Sequence, residues 1–227
     1  MWRGAESGRE VRLIIAVDGP AASGKGTLAA GLARHYGLPH LDTGLLYRAV
    51  GRAVEAFEAA PDLADRAIAA AQGLDLSHLD AEVLVLQKYG DLASKVAVIA
   101  GVRAALYDFQ RGFALQPGGA VLDGRDIGTK IAPDADAKLF IQADSKARME
   151  RRARQFEARG QAVDRYALYH QIEERDARDL KNPNGGFYPA SDAHLLDTTR
   201  LDIEAALRAA VAIVDEAMAR KAGALAP

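Results

Sequence analysis

Apolar runs in this chain are short and alternate with stretches of helical spacing. The first run, residues 12–17, is rich in aliphatic side chains and stops at Asp18-Gly19-Pro20, which predicts a buried parallel strand. Leu28, Leu32 and Tyr36 then recur at helical spacing over 25–36. Residues 39–42 predict a second short strand. A helix over 43–58 follows, with Leu46, Val50, Val54 and Phe57 on one face. Pro61 opens a helical stretch to residue 72, and residues 73–90 carry no single period. One long helix is predicted over 91–114, stopped by Pro117-Gly118-Gly119. Residues 120–123 and 138–142 predict two further core strands. Helices over 145–159 and 164–180 flank Gly160, and 182–190 predict a loop. Residues 194–197 predict a fifth strand. Ile203, Leu207, Ala210, Val211, Val214 and Met218 mark a last helix, with a frayed tail after 219.

Strands alternating with helices predict an α/β fold, a five-stranded parallel sheet with helices on both faces. Ligands in such sheets sit beyond the carboxyl ends of the strands. A length of 227 residues suits one domain with inserted segments. The expected division is one domain over 11–220. Its core is 11–58, 115–147 and 190–220, its insertions are 59–114 and 148–189, and residues 1–10 and 221–227 are flexible ends.

Composition narrows the function classes. A formal net charge of -2 gives no electrostatic reason to expect nucleic acid or membrane as a partner. With no cysteine there is no disulfide and no thiolate metal site. The five histidines, at 35, 40, 78, 170 and 194, lack a metal-ligand spacing. The apolar run after the polar N-terminus is too short for a signal peptide. No segment approaches the ~18 apolar residues that span a bilayer. The expected location is the cytoplasm.

Chemistry enters between the first strand and the first helix. Gly19, Pro20, Ala21, Ala22, Ser23, Gly24, Lys25, Gly26 and Thr27 satisfy the G-x-x-x-x-G-K spacing of a phosphate-binding loop. Glycines let the backbone curl around an anion, and the helix N-terminus directs amide groups at it. Lys25 adds a mobile point charge for the β- and γ-phosphates. The usual Lys-Ser/Thr step is replaced by Lys-Gly-Thr, leaving Thr27 as the hydroxyl near a Mg²⁺ shell. This loop alone does not separate a kinase from a GTPase or a motor ATPase, but no Asn-Lys-x-Asp guanine-reading stretch occurs.

Three further stretches bear on that choice. Leu41-Asp42-Thr43-Gly44 follows the second strand, where Asp42 or Thr43 caps the next helix, and Arg48 lies about one turn on. Val121-Leu122-Asp123-Gly124-Arg125-Asp126 ends an apolar strand in a carboxylate, which beside such a loop lies near Mg²⁺, commonly through water. Gly124 permits a tight turn that projects Arg125 and Asp126 into the crevice. Arg148, Arg151, Arg152, Arg154 and Arg159 precede Gly160, and Arg175, Asp176, Arg178 and Asp179 follow it. Such a hairpin suits a closing lid that neutralises phosphoryl charge and excludes water; a solvated charged face and an Arg175–Asp179 helix ion pair are the plainer readings.

With these motifs in hand, the chain resembles bacterial cytidylate kinases. The resemblance rests on Asp18 to Thr27, on Leu41-Asp42-Thr43-Gly44 with Tyr47-Arg48, and on Asp123-Gly124-Arg125-Asp126-Ile127-Gly128-Thr129 with Pro133-Asp134-Ala135. Arg175-Asp176 with Asp179, and Asp192-Ala193 with Asp197-Thr198-Thr199, complete it. It implies a kinase moving the terminal phosphoryl group of ATP onto CMP or dCMP, with Mg²⁺, as a monomer. By resemblance, residues 19–27 bind ATP, and Arg48 and Arg125 hold the CMP phosphate. Thr43, Arg103 and Asp126 surround cytosine, and Ser94, Arg175 and Asp179 lie near the sugar. Lys25, Arg125 and Arg151 serve catalysis, and Thr27 and Asp123 serve the metal. The segment 59–114 is then a monophosphate-binding insertion and 148–189 the lid. Two departures stand out. Asn182 replaces a base-reading Arg, implying looser base choice, and the insertion is short, without a β-hairpin. A UMP/CMP or AMP kinase, or a nucleotide-holding module without turnover, remain the alternatives.

Overall fold

The first strand, β1 (Leu13–Asp18), is buried along its whole length, because it is apolar on both faces and has a neighbour on each side. The computed structural model describes residues 12–75, 79–182 and 187–224. Its sheet also contains β2 (His40–Asp42), β3 (Gly119–Gly124), β4 (Ala137–Gln142) and β5 (His194–Asp197), in the order β2-β3-β1-β4-β5. Every pairing is parallel. All five strands fall where the apolar runs predict them.

Helices cover both faces. Leu13, Ile15 and Val17 pack with α1 (Lys25–Tyr36) and α9 (Ile203–Ala224). Ile14 and Ala16 pack on the other face with Ala114, Leu122 and Ile127. The remaining helices are α2 (Thr43–Ala53), α3 (Leu63–Gln72), α4 (Ala81–Leu84), α5 (Gln87–Val96), α6 (Ala100–Ala114), α7 (Ser145–Glu157) and α8 (Arg165–Leu180). A second apolar cluster joins α2, α3 and α6 through Leu46, Val50, Ala67, Val102 and Leu106. A third holds α7 to α8 through Met149, Ala153, Leu168 and Ile172.

Several expectations are corrected. The helix predicted over 91–114 is two helices, broken at residues 97–99, where Ile99 is extended. The break lets each half meet its own partner. Gly51 of α2 leaves room for Leu92 of α5, since a Cβ there would lie 2.8 Å from the leucine's Cβ. Gly101 of α6 admits Ile68 of α3 in the same way, with 2.5 Å to its Cδ1. The helix predicted over 43–58 stops at Ala53. A 3₁₀ turn, Glu55–Phe57, follows and turns Glu55 toward Lys88 and Tyr89 of α5, at 2.6 and 3.1 Å. Residues 73–90 contain α4 and the start of α5, and no strand occurs among the described residues between β2 and β3. α9 continues to Ala224, past the predicted fraying point. Part of the predicted 182–190 loop, residues 183–186, lies outside the described residues, as do 1–11 and 225–227.

Candidate active site

The phosphate loop starts where β1 leaves the sheet. Gly19 has φ of 151°, and a Cβ there would lie 2.1 Å from the Ile141 carbonyl oxygen, so no side chain fits. Ala22 and Gly24 are left-handed, with φ of 59° and 94°. A non-glycine in that region stores strain, which is common at ligand-gripping loops. Gly24 ends the turn and α1 begins at Lys25, so the first amides of α1 face the loop's concavity. The Ser23 hydroxyl is buried there without a hydrogen-bond partner among the described residues. An unpaired polar atom in a loop whose first glycine admits no side chain fits a phosphate-binding loop.

A cleft opens beside this loop, at the carboxyl ends of β1, β2 and β3. Lys25, Asp42, Arg48, Asp123, Arg125 and Asp126 all reach it. Burial pushes Lys25 down to about 8, and the charge of Arg125 adds to this, while Asp123 and Asp42 oppose it. Asp42 and Asp123 sit opposite each other on adjacent strands. Asp42 also caps α2 by accepting from the Gly44 amide at 2.9 Å. Its carboxyl is raised, first by burial and then by the Asp123 charge. Two carboxylates this close, next to a phosphate loop, suit a hydrated divalent cation. One oxygen of Asp123 is bound by His40 Nε2 at 2.8 Å, and the other faces Gly26, 3.6 Å from where a Cβ would stand. Thr27 is exposed and lines a second cleft with Arg151, Arg154 and Thr198. The predicted Thr27–Asp123 metal pair is thus split between two clefts, and Asp42 is the group standing beside Asp123.

Cations crowd the far wall. Arg48 donates to the Leu84 and Leu86 carbonyls at 2.9 and 3.2 Å, and burial pushes it down to about 10. Arg175 is likewise lowered to about 10 by burial and by the Arg125 charge, and its Nε has no hydrogen-bond partner among the described residues. Gly90 makes room for both guanidiniums, since a Cβ there would lie 3.1 Å from each. Asp179 gathers the group. It accepts from Ser94 Oγ at 2.9 Å and from Arg125 Nε at 3.0 Å, with Arg175 Nε at 3.9 Å. Burial alone would raise this carboxyl, but Arg125, Arg175 and the Ser94 bond hold it below its ordinary value. Cations that repel one another in a buried cleft favour an anionic ligand.

Asp126 and Arg103 close the other end as a buried ion pair. Burial raises the Asp126 carboxyl against the opposing charge of Arg103. Thr43 is buried beside them and donates to the Asp123 carbonyl at 2.8 Å. Behind the pair, Asp18 accepts from the Ile127 and Gly128 amides, both at 2.8 Å. Burial outweighs these bonds and pushes Asp18 up to about 7. The segment Ile127–Ile131 is a π-helical turn that the apolar pattern does not reveal.

The arginines of α7 separate into distinct positions. Arg148 is buried, paired to Asp176 at 2.6 Å and donating to the Ala21 carbonyl at 3.2 Å. Arg151 donates to the Ser23 carbonyl and to Thr198 Oγ1, both at 3.0 Å, on the second cleft. Arg152 is the α7 arginine that lines the first cleft, steadied by Gln87 Oε1 at 3.1 Å. Asn182 also lines that cleft, and its side-chain amide donates to the Ala97 carbonyl at 3.1 Å, at the α5–α6 break. Of the residues singled out in the sequence, Lys25, Thr43, Arg48, Ser94, Arg103, Asp123, Arg125, Asp126, Arg175 and Asp179 meet in one cleft. Asp18, His40 and Arg152 carry contacts that sequence spacing did not assign. The sequence shows five arginines between 148 and 159 but not which of them turns inward.

Comparison with known proteins agrees with this geometry. The family model for cytidylate kinase matches residues 15–216. A cytidylate kinase of Methylocella silvestris is 55% identical over 207 residues, covering 90% of this chain and 95% of that protein. One of Xanthobacter autotrophicus is 54% identical over 211 residues, covering 93% of this chain and all of that protein. Among solved structures, an uncharacterized protein from Eubacterium ventriosum shares the fold with a TM-score of 0.51, at 19% identity over 90% of this chain and 99% of that one. The loop at the start of α1, the charged cleft beside it and a family match over most of the length converge on one assignment: this chain belongs to the cytidylate kinase family.

Proposed function

We propose that the protein transfers the γ-phosphoryl group of ATP directly to CMP and dCMP, giving ADP and the corresponding diphosphate. The observation that carries this reading is the buried Asp126 carboxylate, held by Arg103 in the cleft that Lys25 also lines. A carboxylate accepts from the exocyclic amino group of cytosine, whereas uracil presents a carbonyl oxygen at that position. Both oxygens of Asp179 already have partners, which is compatible with either ribose or deoxyribose beside it.

The acceptor is itself a phosphate, largely dianionic at neutral pH because its second pKa is about 6. No general base is required, so the chain's contribution is alignment and charge neutralisation. Lys25 and the loop amides hold the donor phosphates. Arg48 and Arg125 hold the acceptor phosphate, and Arg152 and Arg175 face the space between. Asp42 and Asp123 would hold, through water, the Mg²⁺ that accompanies ATP, an ion that neutralises β- and γ-phosphate charge. Arg151, against the Ser23 carbonyl, steadies the phosphate loop from the donor side. Residues 59–114 act as the monophosphate-binding insertion and 148–189 as a lid that excludes water. No helix among the described residues is long and apolar enough to cross a membrane.

The test is kcat/KM for CMP, dCMP, UMP and AMP with Mg²⁺-ATP, alongside ADP release with and without CMP. CMP and dCMP are expected to lead. A lead for AMP or UMP would replace the base assignment, and ADP release indifferent to every monophosphate would remove the kinase reading.

A further inference from the structure

The segment that reads the acceptor leaves the sheet at Gly124 and passes through Arg125 and Asp126 into the turn Ile127–Ile131. A helical turn starts with amides that lack internal partners, and an aspartate at the position before it would ordinarily cap them. Asp126 stands there and makes no capping bond, because its carboxylate is engaged with Arg103. The amides of Ile127 and Gly128 are bound by a residue more than a hundred positions away, each at 2.8 Å to one oxygen of Asp18. Asp18 is the residue immediately before the phosphate loop.

We infer that Asp18 is a positioning residue for acceptor recognition: it caps the Ile127–Ile131 turn in place of Asp126, and so leaves the Asp126 carboxylate to its pair with Arg103, where it faces the acceptor base. This rests on the cleft being the acceptor site. The backbone of Asp18 is held without its side chain, since it pairs with Gly124 on one side and Phe140 on the other, in the central strand. The phosphate loop therefore keeps its starting point when the carboxylate is altered. The acceptor segment has no strand pairing beyond Gly124. Its far side is anchored by the buried Ile127 and Ile131 side chains, while its first amides depend on Asp18. Gly128 fits the same contact from the other side. A Cβ there would lie 3.4 Å from Asp18 Oδ2 and 3.2 Å from Lys138 Cδ.

Asp18→Asn keeps the shape but turns one acceptor into an NH₂ group facing a backbone N–H. The buried amide so orphaned should pull the turn out of register, which predicts a rise in KM for CMP of about 10- to 100-fold. KM for ATP should stay within about twofold, and the CMP-to-UMP ratio of kcat/KM should fall by about tenfold or more. Gly128→Ala, which sets a methyl against Asp18 Oδ2 and presses on Lys138 Cδ without removing a polar group, should move the same quantities in the same direction by a smaller factor. ATP binding by calorimetry reports whether each variant is folded. If Asp18→Asn binds ATP normally and leaves KM for CMP and the CMP-to-UMP ratio unchanged, Asp18 only supports the fold and the inference is overturned. Equal losses for ATP and CMP overturn it too. If Asp18→Asn does not fold, Gly128→Ala decides by the same criteria. A wild-type protein that phosphorylates no pyrimidine monophosphate would instead defeat the proposed function, an outcome separate from either.

Discussion

Lys25 sits in a place that suits a ligand and not the empty fold, and replacing it with methionine separates the two. Burial is the main reason its ammonium is pushed from its ordinary 10.5 to about 8, with Arg125 and Arg175 adding to the effect. At about 1.4 kcal/mol per unit, that is a ceiling of roughly 3.5 kcal/mol by which the charged form destabilises the ligand-free protein. Water reaches part of the side chain, so screening reduces the expected value to about 1–3 kcal/mol. Lys25→Met should therefore abolish transfer and raise stability, by roughly 2–10 °C in Tm for a chain of this length. The pH dependence fixes the cause. Below pH 8 the lysine is charged in folded and unfolded chains alike, and the full penalty is present. Between about 8 and 10.5 the folded protein loses the proton first, so the wild type gains on the variant, and above about 10.5 the difference is gone. Urea denaturation of both proteins without nucleotide, at pH 7 and again near pH 10.5, measures this. A variant no more stable than wild type at pH 7, or one whose advantage persists at high pH, would refute the reasoning. Wild-type turnover in the variant would remove Lys25 from the mechanism.

Asp126→Asn should narrow the CMP-to-UMP gap in kcat/KM by roughly 5- to 150-fold, the worth of one buried polar mismatch, and an unchanged ratio would show that the base is read elsewhere. Asn182→Arg should widen that gap if the longer side chain reaches the base, but it also removes the bond to the Ala97 carbonyl, so Tm must be measured beside it. Arg152→Ala should lower kcat more than Arg151→Ala lowers it, because Arg152 lines the cleft with Lys25 and Asp126 while Arg151 binds Ser23 and Thr198; the reverse order in steady-state assays would return the role to Arg151. Hydrogen exchange over α7 and α8 should slow when a bisubstrate mimic is added, and equal protection with and without it would count against a closing lid.

The layered α/β architecture, the five strands and the phosphate loop are legible in the chain before it folds. Those features are local: an apolar run closed by Asp-Gly-Pro, glycines at fixed spacing, helical repeats such as Leu28, Leu32 and Tyr36. The sequence also named most of the cleft, because Asp42-Thr43-Gly44 and Asp123-Gly124-Arg125-Asp126 directly follow strands, and parallel strands deliver their carboxyl ends to one edge. The features that emerge on folding are pairwise and long-range. The apolar period runs through residues 97–99 without interruption, and the helix breaks there because α5 and α6 pack against different partners through Gly51 and Gly101. Five arginines between 148 and 159 look alike in sequence, yet Arg148 is buried against Asp176, Arg151 binds the Ser23 carbonyl and Arg152 enters the cleft that Lys25 and Asp126 line. A residue's direction on a helix depends on what packs beside it, which spacing does not encode. Asp18 reads locally as the end of a strand, and His40 as the start of one. Their partners, the Ile127 and Gly128 amides and the Asp123 carboxylate, are brought to them only when the sheet closes with β3 between β1 and β2.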